Sequence, residues 1–192
     1  MKNVLILGAS GNIASKVIDM LSKEDDIHLS LFLRKTSRLR NHVHANCHII
    51  EGDVLNLNDL NKAMTGIDIV YANLAGDLEN MAKNIVKAMN DKGVKRLIFI
   101  SSIGIYDKSL KPALIPYRRA ADVIEASDTA YTILRPTWFT NANEVDYEIT
   151  RKGEPEKGSF ISQKSLAAFI TTIIKSPEKY ICESLGVNKP NS

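Results

Sequence analysis

The chain has only two cysteines, Cys47 and Cys182, in 192 residues. They lie far apart and fit no C-x-x-C pattern. They therefore read as free thiols of a cytoplasmic protein, and a disulfide framework is excluded. Histidine is also scarce. His42, His44 and His48 gather near Cys47, but no second ligand pair follows, and His28 falls inside an apolar run. Zinc sites present ligand pairs at fixed spacings, so no metal is expected. No uninterrupted apolar run approaches the length of a membrane span. Only Met1-Lys2-Asn3 precede the first apolar run, so no signal peptide is expected. A net charge of +3 is too small to imply nucleic acid or a membrane surface as a partner. Internal repeats, low-complexity tracts and linkers are absent. What remains, with 44% hydrophobic and 24% charged residues, is the composition of one ordinary α/β domain spanning residues 1–192.

The organising stretch is the first forty residues. Val4-Leu5-Ile6-Leu7 breaks into Gly8-Ala9-Ser10-Gly11-Asn12-Ile13-Ala14, and a helical pattern follows with Ile13, Val17, Met20 and Leu21 on one face. Two glycines alone would suit any strand–helix turn. A strand before them and a helix opening at them make the context of a dinucleotide fingerprint. Gly8 permits the sharp bend, Gly11 lets the backbone approach a pyrophosphate, and Ala14 lets the helix lie close on the strand. The diphosphate would sit at the helix N-terminus, against backbone N–H groups and the positive dipole end. Gly8, Ser10, Gly11, Asn12 and Ile13 are the predicted contacts.

Ile27–Leu33 reads as a second, buried strand ending at Arg34-Lys35, with Arg38 and Arg40 beyond. NAD-preferring proteins carry an acidic residue at this strand end, for the ribose hydroxyls. Here none occurs between Asp26 and Glu51. Arg34 can bind a 2′-phosphate by charge-assisted hydrogen bonds, so NADP(H) is favoured over NAD(H). The competing reading of Arg34 and Lys35 is a solvated basic helix start.

Cys47–Glu51 reads as strand three, followed by Gly52-Asp53-Val54. Asp53 either accepts from an adenine amino group or starts the turn into a helix over Leu57–Met64. Strand four, Ile67–Ala72, leads to Asn73-Leu74-Ala75-Gly76. This turn sits at the crevice where strand order reverses, and Leu74, Ala75 and Gly76 are its predicted contacts on the ribose and nicotinamide side. A helix over Leu78–Asp91 carries Leu78, Met81, Ala82, Ile85, Val86 and Met89 on one stripe, which is core or subunit interface and leaves a homodimer open. Strand five is Arg96–Ile100, ending in Ser101-Ser102. A helix from about Tyr117 to Ala126 leads to strand six, Ala130–Leu134, which stops at Arg135-Pro136 because proline cannot donate to a ladder. Arg135 reads as a structural ion-pair partner. From Thr140 to Gly158 the chain is polar and turn-rich, and a structureless stretch this long suggests a substrate cover over about 136–160. A helix over Ser165–Ile174 and a short strand through Leu185 and Val187 complete the pattern. The expected fold is a Rossmann-type doubly wound parallel sheet with helices on both faces.

Taken in order, Gly8–Ala14, Arg34-Lys35, Gly52-Asp53-Val54, Ser101-Ser102, Tyr117-Arg118-Arg119 and Tyr131-Thr132-Ile133-Leu134-Arg135-Pro136-Thr137-Trp138-Phe139 resemble the atypical short-chain dehydrogenase/reductase proteins. The NmrA-like NAD(P)-binding proteins and the biliverdin-IXβ/flavin reductase group look nearest. The resemblance spans nearly the whole chain. It implies NADP(H) at the glycine turn, with Ser101 and Pro136 among the cofactor contacts, and a pocket formed by the Ser101 loop, the Tyr117 helix and the Pro136 loop.

One departure bears on chemistry. Family members pair a tyrosine with a lysine four residues on, yet Ala121 follows Tyr117, and no other tyrosine in the chain has the lysine. A phenol without such an ammonium ionises near pH ~10 and is a poor base at neutrality. Hydride transfer to a flat, electron-poor ring needs no such base. Ser102 and Tyr117 are then positioning groups, although Ser101 and Ser102 equally suit capping the next turn. Trp138 and Phe139 are either an apolar pocket wall or core. The expected function is NADPH-dependent reduction of a small conjugated acceptor such as a flavin or quinone. The alternative is a non-catalytic NmrA-like NADP(H) sensor.

Overall fold

Alternate residues of the first strand face opposite ways, and each face finds its own helices. Val4 and Ile6 pack with Ile13, Val17, Ile170 and Ile173 on one side of the sheet. Leu5 and Leu7 pack with Leu60, Ile85, Met89 and Ile124 on the other. This two-sided burial is why the strands read as continuous apolar runs. The computed structural model describes residues 1–39 and 47–192. Arg40, His42 and His44 lie outside the described residues.

The chain runs β1 (Lys2–Leu7), α1 (Asn12–Leu21), β2 (Ile27–Leu33), β3 (Cys47–Glu51), α2 (Leu57–Ala63), β4 (Ile69–Ala72), α3 (Leu78–Lys92), β5 (Arg96–Ile100), α4 (Ile115–Glu125), β6 (Ala130–Pro136), β7 (Trp138–Thr140), β8 (Glu148–Arg151), β9 (Phe160–Ser162), α5 (Gln163–Lys175) and β10 (Glu183–Asn188). The main sheet has eight strands in the order β3-β2-β1-β4-β5-β6-β10-β8. All pair in parallel except β8, which runs antiparallel to β10. Helices α1 and α5 pack together on one face, and α2, α3 and α4 on the other. This is the doubly wound Rossmann arrangement. Its strand order reverses between β1 and β4, which opens a crevice at the carboxyl ends of the strands. Among the described residues no helix is long and apolar enough to cross a membrane.

Several expectations need adjustment. Strand β4 starts at Ile69, two residues later than the pattern suggests, and α4 starts at Ile115, after a 3-10 turn over Pro112–Leu114. On α3 it is Ala88 that is buried, while Val86 is half-buried at the edge of the stripe. The stretch 140–158 is not structureless, because β8 lies within it and forms the sheet's edge. Thr150 is buried against β10 at Gly186, where a Cβ would collide with its hydroxyl. Pro136 is the last residue of β6, and β7 and β9 form a separate two-stranded parallel ribbon just beyond it.

Candidate functional site

A cleft of about 180 Å³ lies at the reversal of strand order. The β1–α1 turn supplies Gly8, Ser10 and Gly11, and the end of β2 supplies Phe32, Leu33, Arg34 and Arg38. Gly52, Asp53 and Val54 follow β3, while Asn73, Leu74 and Ala75 follow β4, with Met81 of α3 closing one side.

The turn requires its first glycine. Gly8 has φ +81°, and a Cβ there would land on the carbonyl oxygen of Asn73. Its N–H donates to the Phe32 carbonyl at 3.0 Å, which fixes the turn against β2. At Gly11 a Cβ would come within 3.1 Å of the Asn73 side-chain nitrogen, so the turn also packs closely on the β4 loop. Gly11 is the N-cap of α1 and provides no side-chain cap. Helices α2, α3 and α5, in contrast, are capped by Asn56, Asp77 and Ser162, each accepting from a backbone N–H of its own first turn. Helix α4, whose N-cap is Leu114, also lacks a side-chain cap, but α1 is the one that opens on the cleft, where a helix N-terminus suits an anion.

Arg34 and Arg38 are both exposed, and among the described residues neither forms an ion pair with a carboxylate. The nearby Glu51 carboxylate accepts instead from the Thr36 N–H at 3.1 Å. Two guanidinium groups, one directly after β2 and one in the 3-10 turn over Thr36–Arg38, suit a phosphate. Asp53 lines the cleft while its Oδ1 accepts from the Leu55 N–H at 2.9 Å, so the turn-starting role is present. Lys35, Asn12, Ile13 and Gly76 lie outside the lining. Ile13 is in the core between α1 and the sheet, so only its backbone faces the turn.

The other predicted residues lie further along the strand ends. Ser101 donates its N–H to the Leu134 carbonyl at 2.7 Å, and its buried hydroxyl has no partner. Ser102 donates its hydroxyl to the Ile103 carbonyl at 3.2 Å, and the Ile103 N–H donates to the Pro136 carbonyl at 3.1 Å. Tyr117 is half-buried on α4. Ala121, one turn on, is fully buried on the core side of α4, so a lysine side chain there would have to enter the core. Trp138 is 81% exposed and Phe139 47% exposed, which excludes core packing for both. Ser101, Ser102, Tyr117, Pro136, Trp138 and Phe139 do not line the cleft described above. Arg135 is buried and ion-paired with Glu156, the structural role expected of it.

Asn73 and Gly52 line the site as part of the two turns expected there, while Phe32, Leu33, Arg38 and Met81 join it without having been assigned a role. Arg38 was visible as part of a basic run. Phe32 and Met81 look like ordinary core residues of a strand and a helix stripe, and their sequence positions carry no other signal.

The strand order and the glycine turn are those of a doubly wound dinucleotide-binding fold. A family model described as NAD(P)H-binding matches residues 8–177, and the chain belongs to that family. A Rossmann-fold NAD(P)-binding family protein from Shigella flexneri is 50% identical, with TM-score 0.94 over 100% of this chain and 95% of its own. A short-chain dehydrogenase/reductase (wide type) from Veillonella parvula, solved in complex with NADP, is 29% identical, with TM-score 0.90 over 99% of this chain and 95% of its own. The protein described as an uncharacterized sugar epimerase, YhfK from Bacillus subtilis, is 25% identical over 92% of this chain and 88% of its own.

Proposed function

We propose that this protein is a cytoplasmic NADPH-dependent reductase whose acceptor is a small, flat, conjugated molecule such as a flavin or quinone. The observation that carries this reading is the pair Arg34 and Arg38, both in the cleft and free of carboxylate partners among the described residues. They suit the 2′-phosphate that distinguishes NADP(H), and the Veillonella relative solved with NADP supports the same choice. Gly8, Ser10 and Gly11 with the α1 N-terminus would hold the diphosphate, Asp53 and Val54 would flank the adenine, and Leu74, Ala75 and Gly76 would face the nicotinamide side. When bound, NADPH would supply a hydride.

The chain's own residues would then orient and shield. Ser102 and Tyr117 would position the acceptor, Pro136 would shape the corner of the crevice, and Trp138 and Phe139 would offer an apolar wall on the segment 136–160. The accompanying proton would come from water, since no tyrosine carries the assisting lysine. For the same reason the epimerase chemistry named for the Bacillus relative is a weaker match. The free thiols Cys47 and Cys182 fit a reducing compartment.

Ala121, buried where the lysine would begin, also suits a second reading, an NADP(H) sensor without chemistry. Steady-state oxidation of NADPH across a panel of flavins, quinones and aldehydes separates the two. Turnover of a flavin or quinone supports the reductase. Tight NADPH binding with no turnover of any acceptor favours the sensor.

A further inference from the structure

The segment after β8 carries a carboxylate that the reductase reading does not use. Glu156 accepts from the Gly104 N–H at 3.0 Å through Oε2 and from the Arg135 guanidinium through Oε1. Arg135 is 2% exposed at the end of β6, and its Nε and Nη2 have no partner. Burial pulls its pKa down, Tyr106, Glu125 and Asp107 oppose that shift, and the Glu156 carboxylate pairs with the guanidinium directly. Gly104 lies two residues beyond Ser102 and turns the chain at φ +82°.

The loop after β5 is therefore held at three successive points. Ser101 donates to the Leu134 carbonyl and Ile103 to the Pro136 carbonyl, which are backbone contacts continuing the β5–β6 ladder. The third hold, at Gly104, is made by a side chain from a segment 52 residues away. An N–H buried without an acceptor costs free energy, so losing Glu156 would push this part of the loop to rearrange toward solvent.

We propose that Glu156 is a positioning residue. Through Gly104 it fixes the loop that carries Ser102, and through Arg135 it makes that geometry depend on residues 152–158 being in place. The acceptor side of the crevice is then complete only when this segment is docked. The effect on turnover rests on the reductase reading, whereas the effect on the loop does not.

The test compares two charge-neutral pairs, so that neither leaves a buried ion unpaired. Arg135→Met with Glu156→Gln keeps an amide oxygen for Gly104. Arg135→Met with Glu156→Leu removes that acceptor at similar size. Both pairs should bind NADPH equally. Hydrogen exchange at residues 102–107 should be about tenfold faster or more in the Leu pair. With the best acceptor, kcat of the Leu pair should fall about tenfold below that of the Gln pair. Equal exchange at 102–107 in the two pairs overturns the proposal, and so does faster exchange with unchanged kcat and KM. If the wild type turns over no acceptor, the reductase reading fails and exchange alone decides on Glu156. If the pairs do not fold, the wild type still decides. Its Gly104 amide should be as well protected as that of Ile103, and an unprotected Gly104 overturns the proposal.

Discussion

Arg34 directly follows β2, at the position where NAD-preferring proteins carry a carboxylate for the ribose hydroxyls, and the proposed cofactor preference rests on it and on Arg38. Further residues divide by what surrounds them. Tyr106 has three cations at its ring, with Arg118 at 4.9 Å, Arg135 at 5.2 Å and Lys152 at 4.4 Å. Such company would normally favour a phenolate. Burial and the hydrogen bond to Glu125, at 2.6 Å, push its pKa upward instead, which removes it as a proton donor or base near neutrality. Tyr117 has no ammonium four residues on. Tyr117→Phe should therefore lower NADPH oxidation by about tenfold or less, below the typical ~10²-fold or larger loss on removing a true acid–base group. A loss of several orders of magnitude at unchanged cofactor affinity would mean that another cation activates the phenol. Trp138 is the chain's only tryptophan and is 81% exposed. Trp138→Ala should leave thermal stability within about 0.5 kcal/mol, because no core contact is lost. KM for the acceptor should rise while the NADPH Kd stays constant. An unchanged KM would take Trp138 out of the acceptor site.

At the scale of elements, the β1–α1 unit joins a turn that only glycine can make to a helix that opens without a side-chain cap. Gly8→Ala forces a left-handed backbone on alanine and drives its Cβ onto the Asn73 carbonyl, at a cost on the order of 3 kcal/mol. Thermal unfolding should show a midpoint lower by roughly 6–12 °C for a chain of this size. A wild-type midpoint would mean that the turn relaxes freely. This unit is legible in the sequence because strand, turn and helix are contiguous and each has its own local signal. Strands β2, β3 and β5 are legible to the residue for a similar reason, since their runs are bounded by charge, glycine or serine. Strand β8 is not legible. Its four residues, Glu148–Arg151, hold one aliphatic side chain, and charge on an edge strand is what keeps such an edge from pairing with other chains. Its pairing depends on Gly186, 36 residues from Thr150 and visible only once β10 is in place. Glu156 is illegible in the same way, because its partners Gly104 and Arg135 are 52 and 21 residues away.

At the scale of the molecule, the doubly wound sheet puts α1 and α5 on one face and α2, α3 and α4 on the other. Folds of this kind place their binding and catalytic groups in the loops at the carboxyl end of the sheet. One stretch of that crevice, from the glycine turn to Arg34 and Arg38, has the form of a dinucleotide cleft. The other, at the ends of β5 and β6, is built from loops tied together by Pro136 and Glu156 and bordered by exposed aromatic side chains. On the proposed reading, the first stretch selects NADP(H) through Arg34. Titration calorimetry of NADPH and NADH against the wild type and Arg34→Ala tests it directly. A charge-assisted hydrogen bond contributes about 1.5–3 kcal/mol, so the wild type should bind NADPH at least about tenfold more tightly than NADH. Arg34→Ala should bring the two affinities close together, with NADH binding little changed. Equal affinities in the wild type, or a preference that survives Arg34→Ala, would mean that Arg34 does not select the cofactor.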